Sequence, residues 1–406
     1  MGGVATPAER SEIDLYSDAV LADPYPTYRA LRDQGSAVYL EKVDAWFIGR
    51  FKDVRSALSD WQTFSSAKGI GLNPVINEAW DEALICQDPP VHTARRMHIM
   101  EVLSPVALKP LAETIDARAL ELADRLARIG EFDAVADFAH DLPIGVVMDL
   151  IGWPLDVRHR LLELASGSWN AAGPDNAKMR GGLGQLQEMM ALITEVYDNN
   201  RVIEGGFAAQ LIAASHKGVI TRDTAIGMLA GYIVAAFETT ISAMAAGIWQ
   251  FASNPGEWAK LRANPKLAVQ AANEIVRLET PLQNFSRFCT RDAEMGDGNV
   301  IPSGSRVIVS YASANRDERQ FNQPDSFIID RKEKMNLAFG HGPHGCAGQG
   351  LARMELTSVF AALAERIERF EITGQPVRAI NNVARSFSLL PARAIADKSG
   401  ARDISL

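Results

Sequence analysis

The chain has 406 residues, 47% of them hydrophobic, and a formal net charge of −9. That is ample for a large core, and an acidic balance argues against a general nucleic-acid or anionic-membrane surface. Cys86, Cys289 and Cys346 are odd in number, far apart and without C-x-x-C spacing, which speaks against a disulfide framework or a structural zinc site and for a reduced, cytoplasmic setting.

The first residues, MGGVATPAERSEIDLYSD, show no basic start followed by an apolar run, so no signal peptide is expected. Residues 1–15 are expected to be disordered. No uninterrupted apolar stretch reaches the roughly 20 residues of a membrane span. Ala45–Ile48 (AWFI) reads as a strand. Residues 64–87, with Gly69, Gly71 and Pro74, read as a long irregular loop of the kind that is functional or mobile. In DPPVHTARR at 88–96 the prolines open a helix, and His92 and Arg96, four apart, share a face. Arg95 lies off that face and is expected to meet solvent or a partner.

Apolar residues every three to four positions predict helices over 107–129, 140–165, 183–199, 222–253 and 265–279. Inside the apolar stretch 222–253, AAFETT at 235–240 interrupts the pattern with Glu238 and Thr239. A mid-helix threonine often bonds back to a carbonyl. EIVR at 274–277 places Glu274 and Arg277 on one helical face, by itself a common surface pair. Val307–Val309 is a second clear strand and Phe327–Ile329 a weaker one. Strands near the start and after about 285, with helices between, describe a mainly α protein of α+β type with a small β-rich region.

Residues 339–355 read FGHGPHGCAGQGLARME. Glycines at 340, 342, 345, 348 and 350 form a loop that delivers Cys346 to the start of a helix. Helix N-terminal N–H groups, with Arg353 and His344 nearby, favour a thiolate, so a lowered thiol pKa is expected. Gly348 lets the helix approach something flat and bulky. A lone cysteine in a glycine turn is usually structural, but the whole F-G-x-G-x-H-x-C-x-G pattern resembles the heme-binding loop of the cytochrome P450 family.

The resemblance covers roughly residues 20–395 and implies one heme-thiolate monooxygenase domain over 1–406, with heme b between the central and proximal helices. It implies that Cys346 is the axial iron ligand, with Phe339 packed beside the sulfur and Gly348 against the heme. His92, Arg96, Arg287 and His344 would hold the propionates, which need cationic donors. Glu274 and Arg277 would form a buried structural network with Arg331. Glu238 and Thr239 match the acid–alcohol pair that delivers protons while O2 is activated. Ala236 stands where a glycine is usual, which suggests a shallower helix kink, and the acid is Glu where Asp is commoner.

TPLQNFSRFCTRD, SANRDERQFNQPDSF and SWNAAGPDN are similar to the bacterial subgroup that oxidises para-substituted benzoates, often by O-demethylation. Substrate contacts are expected from Trp169, from Val234, Ala235 and Phe237, and from Leu282 and Phe285. That subgroup clamps a carboxylate with an arginine in the early loop. Here NEAWDEALICQ has no arginine and three acids, Glu78, Asp81 and Glu82, so unless Lys68 reaches in, a neutral aromatic such as an aryl ether is expected. A terpenoid is the alternative substrate and a peroxide-using heme-thiolate enzyme the alternative mechanism; a non-catalytic heme sensor is a third reading. Glu238 and Thr239 argue against the last two. No reductase sequence follows the cysteine segment, so electrons are expected from an iron–sulfur ferredoxin and its NAD(P)H-dependent reductase. Arg95, Arg331, Lys332, Lys334 and Arg353 are expected to form its basic docking patch.

Overall fold

The computed structural model describes residues 9–397. Its organising element is the helix Arg222–Ser253, apolar on nearly every face and packed on all sides by other helices. It is the one helix among the described residues long and apolar enough to cross a membrane, and 72% of its most apolar window is buried in the fold. Thr221 caps its start by accepting a bond from the Thr224 amide at 3.0 Å. No break in the helix accompanies Ala236.

The other helices depart from the expected boundaries where proline and glycine dictate. The helix expected over 107–129 starts at Ala112, because Pro105 and Pro110 confine the preceding residues to short turns. The helix expected over 140–165 is two, Asp141–Ile151 and Arg158–Ala171. Gly152 ends the first in a left-handed conformation, φ 72°, and a Cβ there would meet the Gly206 backbone at 2.9 Å. Ala177–Asp198 is longer than expected, with Asn176 as its cap, and Ala268–Glu279 follows a short 3-10 turn at Pro265–Leu267.

Six strands form the main sheet, in the spatial order Arg10–Ser11, Val38–Leu40, Ala45–Ile48, Arg306–Ser310, Asn284–Cys289 and Phe64–Ser65. The strand Ala45–Ile48 runs parallel to Arg306–Ser310, with Trp46 opposite Val307. Part of the stretch expected to be disordered is ordered: Arg10 pairs with Tyr39, and Leu15 and Tyr16 are buried beside Tyr28 and Phe47. Residues 1–8 lie outside the described residues. Phe327–Ile329 is no strand. Its side chains at 327 and 329 are buried, but the Ile328 and Ile329 amides donate to the carboxylates of Glu274 and Glu257. The supposed loop 64–87 contains a helix, Pro74–Ala79, capped by Asn73, and a 3-10 turn at Leu84–Cys86.

Candidate active site

A cavity of about 880 Å³ lies between the central helix and the cysteine loop. Gly340 and Gly342 take left-handed φ of 69° and 67°, and a Cβ on Gly342 would fall 2.3 Å from the Leu58 carbonyl oxygen. The turn they make lets the Cys346 amide donate to the Phe339 carbonyl at 2.7 Å. Helix Gln349–Arg366 follows at once, with Gly348 at its N-cap. Phe339 lies under the Arg353 guanidinium, 4.6 Å away. Burial pushes the Cys346 thiol up, against the Gly348 and Gln349 amides and the Arg96 and Arg353 guanidinia, which pull it down. The expected lowering is therefore not achieved by the chain's own groups, because desolvation outweighs them.

Beside the thiol sit four basic side chains. Strand alternation turns Phe285 and Arg287 to the same side of Asn284–Cys289, and both line the cavity. The His92 and His344 rings are 4.2 Å apart, and the Nε2 of each is buried without a partner. Burial lowers the His92 pKa to about 4 and that of His344 to about 2, with neighbouring arginines adding to the effect. Arg96 donates to the Gly345 carbonyl (2.6 Å), and Arg287 to the Ser286 carbonyl (2.8 Å) and to the Tyr311 hydroxyl. Cationic and neutral donors facing one another with no carboxylate between them are arranged for an anion.

On the opposite wall, Val234, Ala235, Ala236, Thr239 and Thr240 line the cavity. Thr239 Oγ1 donates to the Ala235 carbonyl at 3.0 Å. Glu238 is not among the lining residues; one position round the helix, it faces His140 electrostatically at the start of Asp141–Ile151. Leu282, Phe285 and Trp169 line the cavity, whereas Phe237 is fully buried in the core and does not.

Trp80, Trp169, Phe285 and Tyr311 form a continuous aromatic wall that sequence reading found only in part. Trp80 lay in a segment read only for its acids, and Tyr311 carried no local signal. Arg95 does not face a partner: it donates to the Glu82 carboxylate, which also accepts from Thr224 Oγ1 at 2.9 Å. This bond ties the early loop to the central helix and offsets one of the acids read as repelling a carboxylate. Lys68 does not line the cavity.

Glu274, Arg277 and Arg331 meet in the core. Arg277 grips Glu274 with two bonds of 2.7 and 2.8 Å, and Arg331 Nε adds a third at 3.0 Å. Arg331 is thus buried and unavailable to a docking partner. Arg353 is held by Asn273 and Gln349. Of the five residues expected in the basic patch, only Lys332 and Lys334 are freely exposed.

Glu355, on the cavity wall, gave no sequence signal, since an acid on a helix normally reads as solvated. It is 1% exposed, its Oε1 has no partner, and burial pushes its pKa up to about 8. Below about pH 4.5 the carboxyl is neutral whether folded or unfolded. As pH rises towards 8 only the unfolded chain ionises, so stability falls across that window and then levels off. Glu355→Gln should flatten this loss, worth up to a few kcal/mol at about 1.4 kcal/mol per pKa unit. Thermal unfolding of both proteins from pH 5 to 9 reads it; equal slopes would refute the buried-acid account.

The cytochrome P450 family model matches residues 186–395. The chain is 37% identical over 383 residues to cytochrome P450 CYP199A2 of Rhodopseudomonas palustris, covering 93% of each protein. It is 31% identical to linalool 8-monooxygenase of Pseudomonas putida, covering 91% of this chain and 94% of that one. The crystal structure of CalO2 superposes with a TM-score of 0.81 at 26% identity, over 94% of this chain and 98% of the other. The chain belongs to the cytochrome P450 family: it is a heme-thiolate monooxygenase with heme b as its cofactor. The resemblance to bacterial members of the family is borne out by these relatives.

The residues fit that cofactor. A buried thiol at a helix N-terminus is satisfied as a thiolate when a metal cation binds it. The unpartnered donors of His92 and His344, with Arg96 and Arg287, suit two propionates. At Gly348 a Cβ would meet only Cys346 Sγ, at 3.9 Å, leaving a bare face beside the sulfur.

Proposed function

We propose that this chain uses O2 and ferredoxin-borne electrons to hydroxylate or O-demethylate a small, neutral, aromatic substrate. The observation that carries the substrate class is the distal half of the cavity: an aromatic wall with no unpaired cation among its described lining residues. Arg222, the one arginine at that end, is bound by Asp198 at 2.7 Å and faces Asp223 at 3.7 Å. A substrate carboxylate would find Asp81 and Asp223 there and no free counter-charge. Linalool 8-monooxygenase among the relatives keeps a terpenoid as the second reading.

In this reading Cys346 ligates the iron, and His92, Arg96, Arg287 and His344 hold the propionates. Bound heme supplies the one-electron and O2 chemistry, with thiolate ligation favouring O–O cleavage. The chain's part is to exclude water and manage protons. Thr239 can swing its hydroxyl from the Ala235 carbonyl to a water or substrate oxygen in the cavity. Glu238, outside the cavity beside His140, exchanges protons with the exterior and passes them towards Thr239. Lys332 and Lys334 offer positive charge to an acidic ferredoxin, and the three free cysteines suit a cytoplasmic setting.

A panel of aryl ethers, benzoates and terpenes, read by the spin shift on displacement of water from iron, tests the substrate class. Strong shifts with benzoates alone would sink the neutral-substrate proposal. Thr239→Ala should lower product formed per NAD(P)H by roughly tenfold, with peroxide released instead, since a positioned proton donor is worth about 10²–10⁴. Unchanged coupling would remove Thr239 from proton delivery.

A further inference from the structure

One hydrogen-bond donor on the aromatic wall is left unused by the fold. Trp169, on helix Arg158–Ala171, is 3% exposed and lines the cavity, and its buried indole Nε1 has no acceptor. A buried indole N–H ordinarily finds a partner. The ring is fixed by its neighbours: Trp80 meets it edge-on at 6.2 Å, and Phe285 lies tilted at 5.5 Å. The acids at this end do not serve it. Glu82 accepts from Arg95 and Thr224, and Asp223 faces Arg222.

We propose that the cavity is built for a neutral arene bearing an acceptor oxygen, carbonyl or ether, which accepts a hydrogen bond from Trp169 Nε1–H. The inference rests on the monooxygenase reading and narrows its substrate class. The arene packs against Trp80 and Phe285, and its oxygen meets the free N–H. A pure hydrocarbon would leave that donor unmet, and a carboxylate would meet it only by bringing charge beside Asp81 and Asp223. Anchoring one substituent also restricts which other atom reaches the reacting centre.

The test is a spectral titration of the heme-loaded protein with para-methoxyacetophenone and a hydrocarbon of matching shape without an acceptor oxygen, 1-ethyl-4-isopropylbenzene. Wild type should bind the ketone about tenfold more tightly. Trp169→Phe, which keeps an aromatic body, should weaken the ketone about tenfold and change the hydrocarbon by about twofold at most. Equal binding of the pair by wild type overturns the proposal without recourse to any variant. So does a variant that weakens both ligands alike, which would show packing alone, or a wild-type preference for para-methoxybenzoate. The reduced CO spectrum of each protein is read separately: a wild type without thiolate ligation overturns the underlying function, whereas an intact band with no discrimination overturns only the Trp169 anchor.

Discussion

Cys346→Ala should abolish the red-shifted Soret band that thiolate ligation produces in the reduced, CO-bound protein, and turnover should fall to background. The reason is local. Cys346 is the one thiol among the described residues at the cavity wall; the other cysteines, Cys86 and Cys289, lie apart from it in the core. The loop that presents it depends on the left-handed glycines Gly340 and Gly342. Its removal leaves Arg96 and Arg353 facing a site without an anion. His92 and His344 stand close by, so the competing outcome is concrete: a wild-type CO band typical of histidine ligation would refute the cysteine assignment.

Glu274→Ala should destabilise the protein by about 3–5 kcal/mol, because it strands two buried guanidinia without their carboxylate. Glu274 and Arg277 are 4% and 1% exposed, so solvent cannot take over. Replacing all three of Glu274, Arg277 and Arg331 by apolar residues should recover little. The two arginines also donate to the carbonyls of Asn315, Asn322, Gln323, Pro324 and Ser326, and so pin the segment leading to the cysteine loop. Denaturant unfolding of the single and triple variants decides between a network that mainly balances charge and one that holds backbone. Full recovery in the triple variant would favour charge balance alone.

The way Glu274 and Arg331 come together illustrates what a sequence can and cannot say. Glu274 and Arg277 share a face by helical spacing, which is local geometry. Arg331 is 57 positions from Glu274, and only the resemblance linked them. The same split runs through the site. The glycine pattern around Cys346 is a local conformational demand, since turns at φ of 67–69° favour glycine. Hence the thiol-bearing loop was legible, as was the heme-binding role that its resemblance implies. The single helix expected over 140–165 failed for a tertiary reason: its apolar rhythm continues through Gly152–Trp153–Pro154, but the backbone of Gly206 packs against the break. Phe327–Ile329 failed likewise, its amides being claimed by distant carboxylates.

The sequence by itself determined the mainly helical architecture, the cysteine loop and the long apolar central helix, because each follows from spacing, glycine conformation or a motif read within a short window; the propionate roles of the basic residues came only through the family resemblance. Tertiary structure decided the charges and the cavity. It buried the Cys346 thiol deeply enough to raise its pKa, paired Arg95 with Glu82, withdrew Arg331 from the surface and turned Glu238 away from the cavity towards His140. It also assembled Trp80, Trp169, Phe285 and Tyr311 into one wall from four separate segments. Burial, ion pairing and ring contacts depend on what lies opposite in space, and no local pattern in the chain encodes that.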